Sequence, residues 1–452
     1  MEIKQTQVKL TKEQIQTVSI LLIGAFLEHF DRMLHVHMAS VINEFFFPTT
    51  DPFLKELILA FSFCSNYFLT PFGALFFGYI GDVIGRKAVI ILSSMLMAGC
   101  SLIVSFLPTY SQIGIAAPII LTLCRMIQGV SGISEVNGVE IYLIESIKPP
   151  LQYCIVALIP ACSIIGSGVA LGITCFFAHK MPFFKDSWRL AFFVGSIIAV
   201  VGLVARKSLK DASEFTDRQK LLKEQFKEAY LKWNQPNSSI NPAVPWQISL
   251  AYFCINCAMP FCFYFIYFYC GEILKLKFDF TPTQVVNNNL WPALINIPAI
   301  LLVAFLGLLS ERLGLLNIIK CKLYLFTLCI IAFSSALGNC NNSKIIFLFQ
   351  CIFVFVRFDY IPAAPIFVNN FPILKRFRYT SFIRSVAATF TYTSASLLLA
   401  YATKKLGYVG ILLVFIPFGV CFAWGIYFFE QKEKEEGRQA IGKQNRIIPR
   451  HI

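Results

Sequence analysis

The chain has 452 residues, 57% of them hydrophobic and only 14% charged, with a mean hydropathy of +0.66. A soluble domain carries nearer a quarter charged residues, so this composition excludes a soluble enzyme or a string of soluble domains. The charge is basic, 39 Lys and Arg against 25 Asp and Glu for a net +14, and the distribution described below assigns that excess to a membrane face rather than to nucleic acid.

Met1 to Gln16 is polar and lacks the order of a cleavable signal, so the first helix is expected to stay as an anchor. A membrane-spanning helix needs about 20 apolar residues. Runs of that kind lie near 16–42, 54–80, 87–107, 118–147, 151–178 and 187–206. Six more lie near 246–274, 283–309, 316–337, 344–371, 379–403 and 407–429. Pro71, Pro160, Pro292 and Pro362 fall inside runs, where neighbouring helices can satisfy the freed backbone groups. The fold class is therefore an all-α membrane protein with twelve spans.

One long polar stretch, from Arg206 to about Pro245, separates six spans from six. The expected domains are residues 1–206, a linker at 207–245, residues 246–430 and a basic tail at 431–452. Within the linker, Leu222, Phe226, Tyr230 and Trp233 make an apolar stripe at helical spacing. It reads either as a helix lying on the inner leaflet or as a solvated linker with some helicity. Lys and Arg concentrate in alternate loops, at Arg86, Lys87, Lys148, Arg312, Lys320, Lys375, Arg376 and Arg378. The positive-inside rule then puts both termini in the cytoplasm. The cationic face would meet anionic lipids.

The 15 cysteines lie mostly in apolar runs, as at Cys64, Cys100, Cys162 and Cys254, and are expected to act as small hydrophobes. No disulfide framework, metal site or cofactor is expected. No Ser/His/Asp array or phosphate loop supports an enzyme.

The loop after span 2 reads Gly78-Tyr79-Ile80-Gly81-Asp82-Val83-Ile84-Gly85-Arg86-Lys87, and the loop after span 8 reads Gly307-Leu308-Leu309-Ser310-Glu311-Arg312-Leu313-Gly314-Leu315-Leu316. Both place Gly, an acid and Gly at relative positions 1, 5 and 8, each after the second span of a half. Transporters are often built from such repeated halves. Glycine permits a tight turn and close helix approach. The acid can accept hydrogen bonds from a helix N-terminus.

The first of these loops resembles the Gly-x-x-x-Asp-x-x-Gly-Arg-Lys signature of the major facilitator superfamily. More narrowly, the chain is similar to the metabolite:proton symporters, which include proline/betaine, α-ketoglutarate and shikimate transporters. Leu27-Glu28-His29-Phe30-Asp31 in span 1, Arg125 to Ser131 with Glu135 in span 4, and Trp188 to Phe193 at the entry to span 6 carry that closer match. The resemblance implies two six-helix bundles that alternate access to a small-molecule substrate, proton-coupled uptake, and a monomer in a bacterial inner membrane. The switch loop would be Gly78, Asp82, Gly85, Arg86 and Lys87. Glu145, at the inner end of span 4, is expected to form a salt bridge near it.

An ionisable group near the bilayer centre costs at least about 2.5–3.5 kcal/mol on insertion scales, so each one needs a role. At about 100° per residue, Glu28, Asp31, Arg32 and His35 share one face of span 1, while His37 falls opposite. A proton carrier needs a carboxylate whose surroundings alternately favour its charged and neutral forms. Asp31 is the first candidate and Glu28 the second, with Arg125 as counter-ion and substrate or gating residue. A static ion pair of Asp31 with Arg32 or Arg125 is the competing reading. Glu135 is either a cavity carboxylate or a packing acceptor.

The second half departs from the family pattern, with Glu311 for Asp and Leu315-Leu316 where Arg-Lys would stand. Arg357, Asp359 and Arg384 lie in spans 10 and 11 as substrate or gating candidates, or else snorkel or pair with each other's neighbours. Arg357 and Asp359 are two residues apart, so in a helix they point to different faces and each is expected to need another partner. The crowded aromatics of span 7, from Phe261 to Tyr269, are read as packing ahead of a cage for a quaternary ammonium. An exchanger of anionic metabolites using Arg125 and Arg384, or a degenerate non-transporting sensor, are the alternatives to a symporter.

Overall fold

The computed structural model describes residues 9–47, 69–180, 187–207, 209, 243–309, 314–339, 342–361 and 363–447. With no water in a bilayer to bond its backbone, an apolar chain must satisfy every N–H and C=O internally, and helices do so. The described chain is accordingly helical: α1 Lys12–Phe46, α2 Leu69–Val83, α3 Arg86–Phe106, α4 Ala116–Ser146, α5 Leu151–Lys180 and α6 Ser187–Arg206 form the first half. The second half is α7 Trp246–Phe278, α8 Pro282–Leu308, α9 Leu315–Asn339, α10 Ser343–Val356, α11 Ile373–Leu406 and α12 Gly410–Ile447. Pro160 sits inside α5, Pro292 and Pro298 inside α8, and Pro417 inside α12. The expected interfacial helix, the acid Glu311 and most of the run before α2 lie outside the described residues.

Span 10 is not the continuous helix expected over 344–371. The helix α10 ends at Val356, Arg357 adopts extended backbone (φ −51°, ψ 133°), and a short helix resumes at Ala364–Val368. A proline at 362 has no N–H for the carbonyl of residue 358 and its ring would clash with that carbonyl. Helix α7 holds another irregularity, a π-turn at Tyr264–Tyr269. Its displaced carbonyls are met by amides: Gln350 Nε2 donates to Ile266 O at 2.7 Å and Asn289 Nδ2 to Tyr267 O at 3.0 Å. Helix α12 also runs past residue 430, so the start of the basic tail continues it.

Outward faces carry exposed Phe106, Phe305, Leu397 and Val420, as lipid contact requires. Inside the second half, Phe261 and Phe265 of α7 are fully buried and stack among Phe326, Phe353, Phe358 and Phe415. Packing therefore accounts for these two rings.

The halves meet along α5 and α8 and, at the end of the molecule that carries the Gly78–Lys87 loop, called here the loop end, through α4 and α11. There one continuous core joins Leu21, Phe77, Ile90 and Ile144 of the first half to the second half. Toward the far end the first half keeps a separate core of Leu34, Met38, Val104, Leu121 and Phe192. Equivalent glycines of the two repeated loops share two features. Gly85 and Gly314, at relative position 8, both have positive φ (136° and 69°), which favours glycine. Gly78 and Gly307, at position 1, each face a helix of the other half. A Cβ on Gly78 would sit 2.6 Å from the Cα of Arg378 in α11, and one on Gly307 would sit 3.3 Å from Cys154 N in α5.

Candidate functional site

Helices α1, α3 and α4 build a buried polar network around Asp31. Asp31 is 6% exposed. Its Oδ1 accepts from Ser101 Oγ of α3, and its Oδ2 accepts from Gln128 Nε2 of α4 at 2.8 Å. Gln128 Nε2 also donates to Ser101 Oγ at 3.0 Å, and Gln128 Oε1 accepts from Arg125 Nη1 at 3.1 Å. Arg125 thus reaches Asp31 through an amide rather than as a direct ion-pair partner. A neutral relay of this kind holds the carboxylate in place without committing it to a permanent counter-charge.

Arg32, which the sequence sets beside Asp31, turns away from it. It pairs with Glu28 one turn earlier, and His29 Nδ1 lies 2.5 Å from the other Glu28 oxygen. Gly132 of α4 makes room for this cluster, since a Cβ there would meet Glu28 Oε1 at 2.5 Å. Glu28 is thereby held by the Arg32 guanidinium beside the His29 ring, and Asp31 by neutral donors. His35 stands edge-on to Phe192, with ring centroids 5.3 Å apart.

One turn further along α4, Glu135 pairs with Arg206 (Oε1 to Nη2, 2.6 Å) and accepts from Ser94 Oγ at 3.2 Å. Arg206 is the last residue of α6. The sequence reads it as the start of the basic linker, yet it is 2% exposed and packed against Gly24 of α1. Its hydrophobic stem and buried carboxylate partner, separated by 71 positions in sequence, are what draw it inside.

The loop end is tied by charge across the two halves. Asp82 accepts from the backbone N–H groups of Phe377 and Arg378, both at 3.0 Å, in the first turns of α11. Arg86, fully buried, grips Glu145 with two bonds of 2.9 and 2.8 Å and donates to Ile373 O of the other half at 2.6 Å. Arg376 of α11 adds a third bond to Glu145 at 3.1 Å. Lys87 follows half-buried in the first turn of α3.

Arg384 does not line an open cationic cavity in this conformation. Its guanidinium makes a bidentate pair with Glu140 of α4, at 2.8 Å for both oxygens. It also contacts Asn137, Asn256 and the Tyr252 hydroxyl, and lies over the Tyr360 ring at 5.2 Å. It is a fork-to-fork tie between α11 and α4, the strong form of a charged hydrogen bond. Sequence reading misses Glu140 and Tyr252, because Glu140 lies 244 positions from Arg384.

Arg357 and Asp359 are a second correction. They pair with each other, Nε to Oδ2 at 2.8 Å, and Asp359 Oδ1 takes Lys322 Nζ of α9 at 2.9 Å. The rule that separates residues two apart holds only for a helix, and here the helix has already ended. A cleft beside this triad is lined by Pro160 of α5, Asn296 of α8 and Lys322, Arg357 and Asp359. One Cys-x-x-Cys spacing, Cys254 and Cys257, escapes the reading of the cysteines above. It lies in α7 with both thiols buried and free.

The family profile of the Major Facilitator Superfamily matches residues 21–368. The chain is 26% identical over 330 residues to the proline/betaine transporter of Salmonella typhimurium (72% of this chain, 65% of the relative). It is 30% identical over 206 residues to a putative metabolite transport protein of Haemophilus influenzae (44% and 46%). The matches thus span less than two thirds of these relatives' lengths. In structure it is similar to the proton:xylose symporter XylE bound to 6-bromo-6-deoxy-D-glucose, with a TM-score of 0.71 at 12% identity, covering 92% of this chain and 95% of that one. A twelve-helix frame among the described residues, a Gly78–Lys87 loop that ties one helix bundle to the other, and this profile match over most of the chain lead to one assignment: the chain belongs to the major facilitator superfamily.

Proposed function

We propose that the protein is a proton-coupled symporter that imports a small polar organic metabolite across a bacterial inner membrane by alternating access. The substrate class is an osmolyte such as proline or betaine, or an organic acid. The observation that carries this reading is the Asp31 network. A buried carboxylate held by Ser101 and Gln128, with Arg125 one bond further away, can exist charged or neutral without breaking an ion pair. Glu28 keeps a supporting role, because Arg32 already pairs with it.

In this reading the loop end is cytoplasmic and both termini lie inside. The ties at Asp82, Glu145 and Arg384 then form the inner gate, shut in this conformation. Protonation of Asp31 together with substrate binding would bias the switch that breaks these ties. The exchanger reading asks Arg384 to hold substrate, but Glu140 occupies its fork, so gating suits Arg384 better.

The test is uptake of labelled proline, glycine betaine and organic acids into proteoliposomes under an imposed, inside-alkaline proton gradient. The reading expects one class to accumulate and a protonophore to abolish the accumulation. Pure counterflow with no response to the gradient would support an exchanger instead. Failure of a folded protein to move any of the panel would support a non-transporting member.

A further inference from the structure

Helix α7 changes its hydrogen-bond register partway along, and side chains from two other helices hold the change. In an α-helix each N–H bonds the carbonyl four residues back, which for Cys270 is that of Ile266. Here Cys270 N–H bonds Phe265 O instead, five residues back, at the end of the π-turn Tyr264–Tyr269. Ile266 O is thereby freed inside the bundle. Gln350 of α10, fully buried, donates its Nε2 to that oxygen at 2.7 Å. The same amide donates to Asn289 Oδ1 of α8 at 3.1 Å and accepts from Asn288 Nδ2 at 2.7 Å. Asn289 Nδ2 in turn donates to Tyr267 O at 3.0 Å. Gln350 thus competes with Cys270 N–H for one carbonyl. Without Gln350, Ile266 O is left unmet until Cys270 N–H returns to it, and an unmet buried carbonyl is costly.

That return is a motion. A π-turn holds about one residue more than the α-helix it interrupts, so its loss rotates Cys270–Phe278 about the helix axis by roughly 100°. One tie crosses to α11 at this point, where the hydroxyls of Tyr269 and Thr403 stand 2.6 Å apart. On the other side of the π-turn, Arg384 of the same α11 bonds Tyr252 and Asn256 of α7 while it holds Glu140 of the first half. Helix α11 therefore touches α7 on both sides of the π-turn and carries a loop-end tie as well. From these contacts we infer that Cys270–Phe278 has two registers, and that Gln350, Asn288 and Asn289 form a latch that keeps the π register while the loop end is closed. When the loop end opens, α11 moves, Thr403 draws on Tyr269, and the segment passes to the α register. Register shifts of helices belong to the known repertoire of switching elements. The inference rests on the alternating-access reading and gives that reading a moving part inside the second half.

Distances between spin labels in the purified full chain test it. The labels sit at exposed Leu276 of α7 and exposed Tyr401 of α11, carried on p-acetylphenylalanine so that the native cysteines are spared. The wild type is expected to show one main distance. Gln350→Met keeps the shape of the side chain and removes its amide. It should raise a second population, displaced by several ångströms, about tenfold. Arg384→Gln leaves the latch untouched and loosens the loop end, and it should raise the same population. Adding Thr403→Val, which cuts the tie to Tyr269, should cancel that response. A folded Gln350→Met protein with the wild-type distances would overturn the latch. If that variant does not fold, Arg384→Gln decides alone, and unchanged distances there would overturn the coupling. Uptake into proteoliposomes by a wild type whose α7 label never moves in either variant would overturn the latch and leave the transporter reading standing. Labels that move as expected in a protein that transports nothing would support the latch and remove the transporter reading.

Discussion

Asp31 and Glu28 stand one helical turn apart on α1, yet their surroundings differ. Glu28 sits between Arg32 and His29, while Asp31 is bonded by a serine and a glutamine. A carboxylate fixed by cations gives up its charge reluctantly, and one fixed by neutral donors does so more readily. Asp31→Asn is therefore expected to lower gradient-driven uptake at least a hundredfold while counterflow exchange stays within a few-fold of wild type, as measured with labelled substrate in proteoliposomes. Gln128→Leu cuts the link between Arg125 and Asp31 and leaves Arg125 without that acceptor. It should shift the pH dependence of uptake rather than abolish uptake, and an unchanged pH profile would remove Gln128 from the relay. The sequence shows which acids lie in span 1, because a charge in an apolar run is conspicuous. It does not show which of them Arg32 chooses, since the two rotamers differ only by what α3 and α4 present to them.

At the scale of elements, the two glycine-acid-glycine loops place equivalent glycines against opposite halves. Gly78 lies on α11 and Gly307 on α5. Each permits close approach of a helix pair, which the proposed alternating access would part and rejoin. Gly78→Val puts side-chain carbon where the Arg378 backbone now lies, so the loop end should not close. Spin labels at the loop end are expected to report longer distances than in the wild type, and an unchanged distance distribution would show that the contact is not required for closure. Arg384→Gln strips the bidentate partner from buried Glu140. Truncating one member of a buried pair costs about 3–5 kcal/mol, here charged only to the loop-closed state, which corresponds to a shift of roughly a hundredfold or more in the two-state population. The same spin labels, with a wild-type reference, would read that shift. The loop signature was legible because its glycines and acid recur at fixed spacing. Glu140, Arg206 and Lys322 were not, because their partners come from other helices and no local pattern marks the pairing. The break after Val356 was missed for a different reason: an apolar run shows where a span lies but does not register the backward reach of Pro362.

For the whole molecule, a twelve-span, two-bundle fold class followed from hydropathy, and the fold agrees with it, while the polar stretch that set the expected domain bounds lies almost wholly outside the described residues. The inequality between the halves also holds, but its meaning changes. The first half carries the buried carboxylate on neutral donors. The second carries an excess of positive charge around Asp359. Under the proposed function, a proton site in the first half is coupled to substrate movement only by moving the halves against each other, and the loop-end ties are where that motion would be released. The most direct test of this account follows proton and solute together. Purified protein is reconstituted with a pH-sensitive dye in the lumen, and substrate is added outside without any imposed gradient. The account expects the lumen to acidify in step with substrate entry in the wild type, and neither flux to persist in Asp31→Asn. Substrate entry without acidification, or acidification that survives Asp31→Asn, would contradict it.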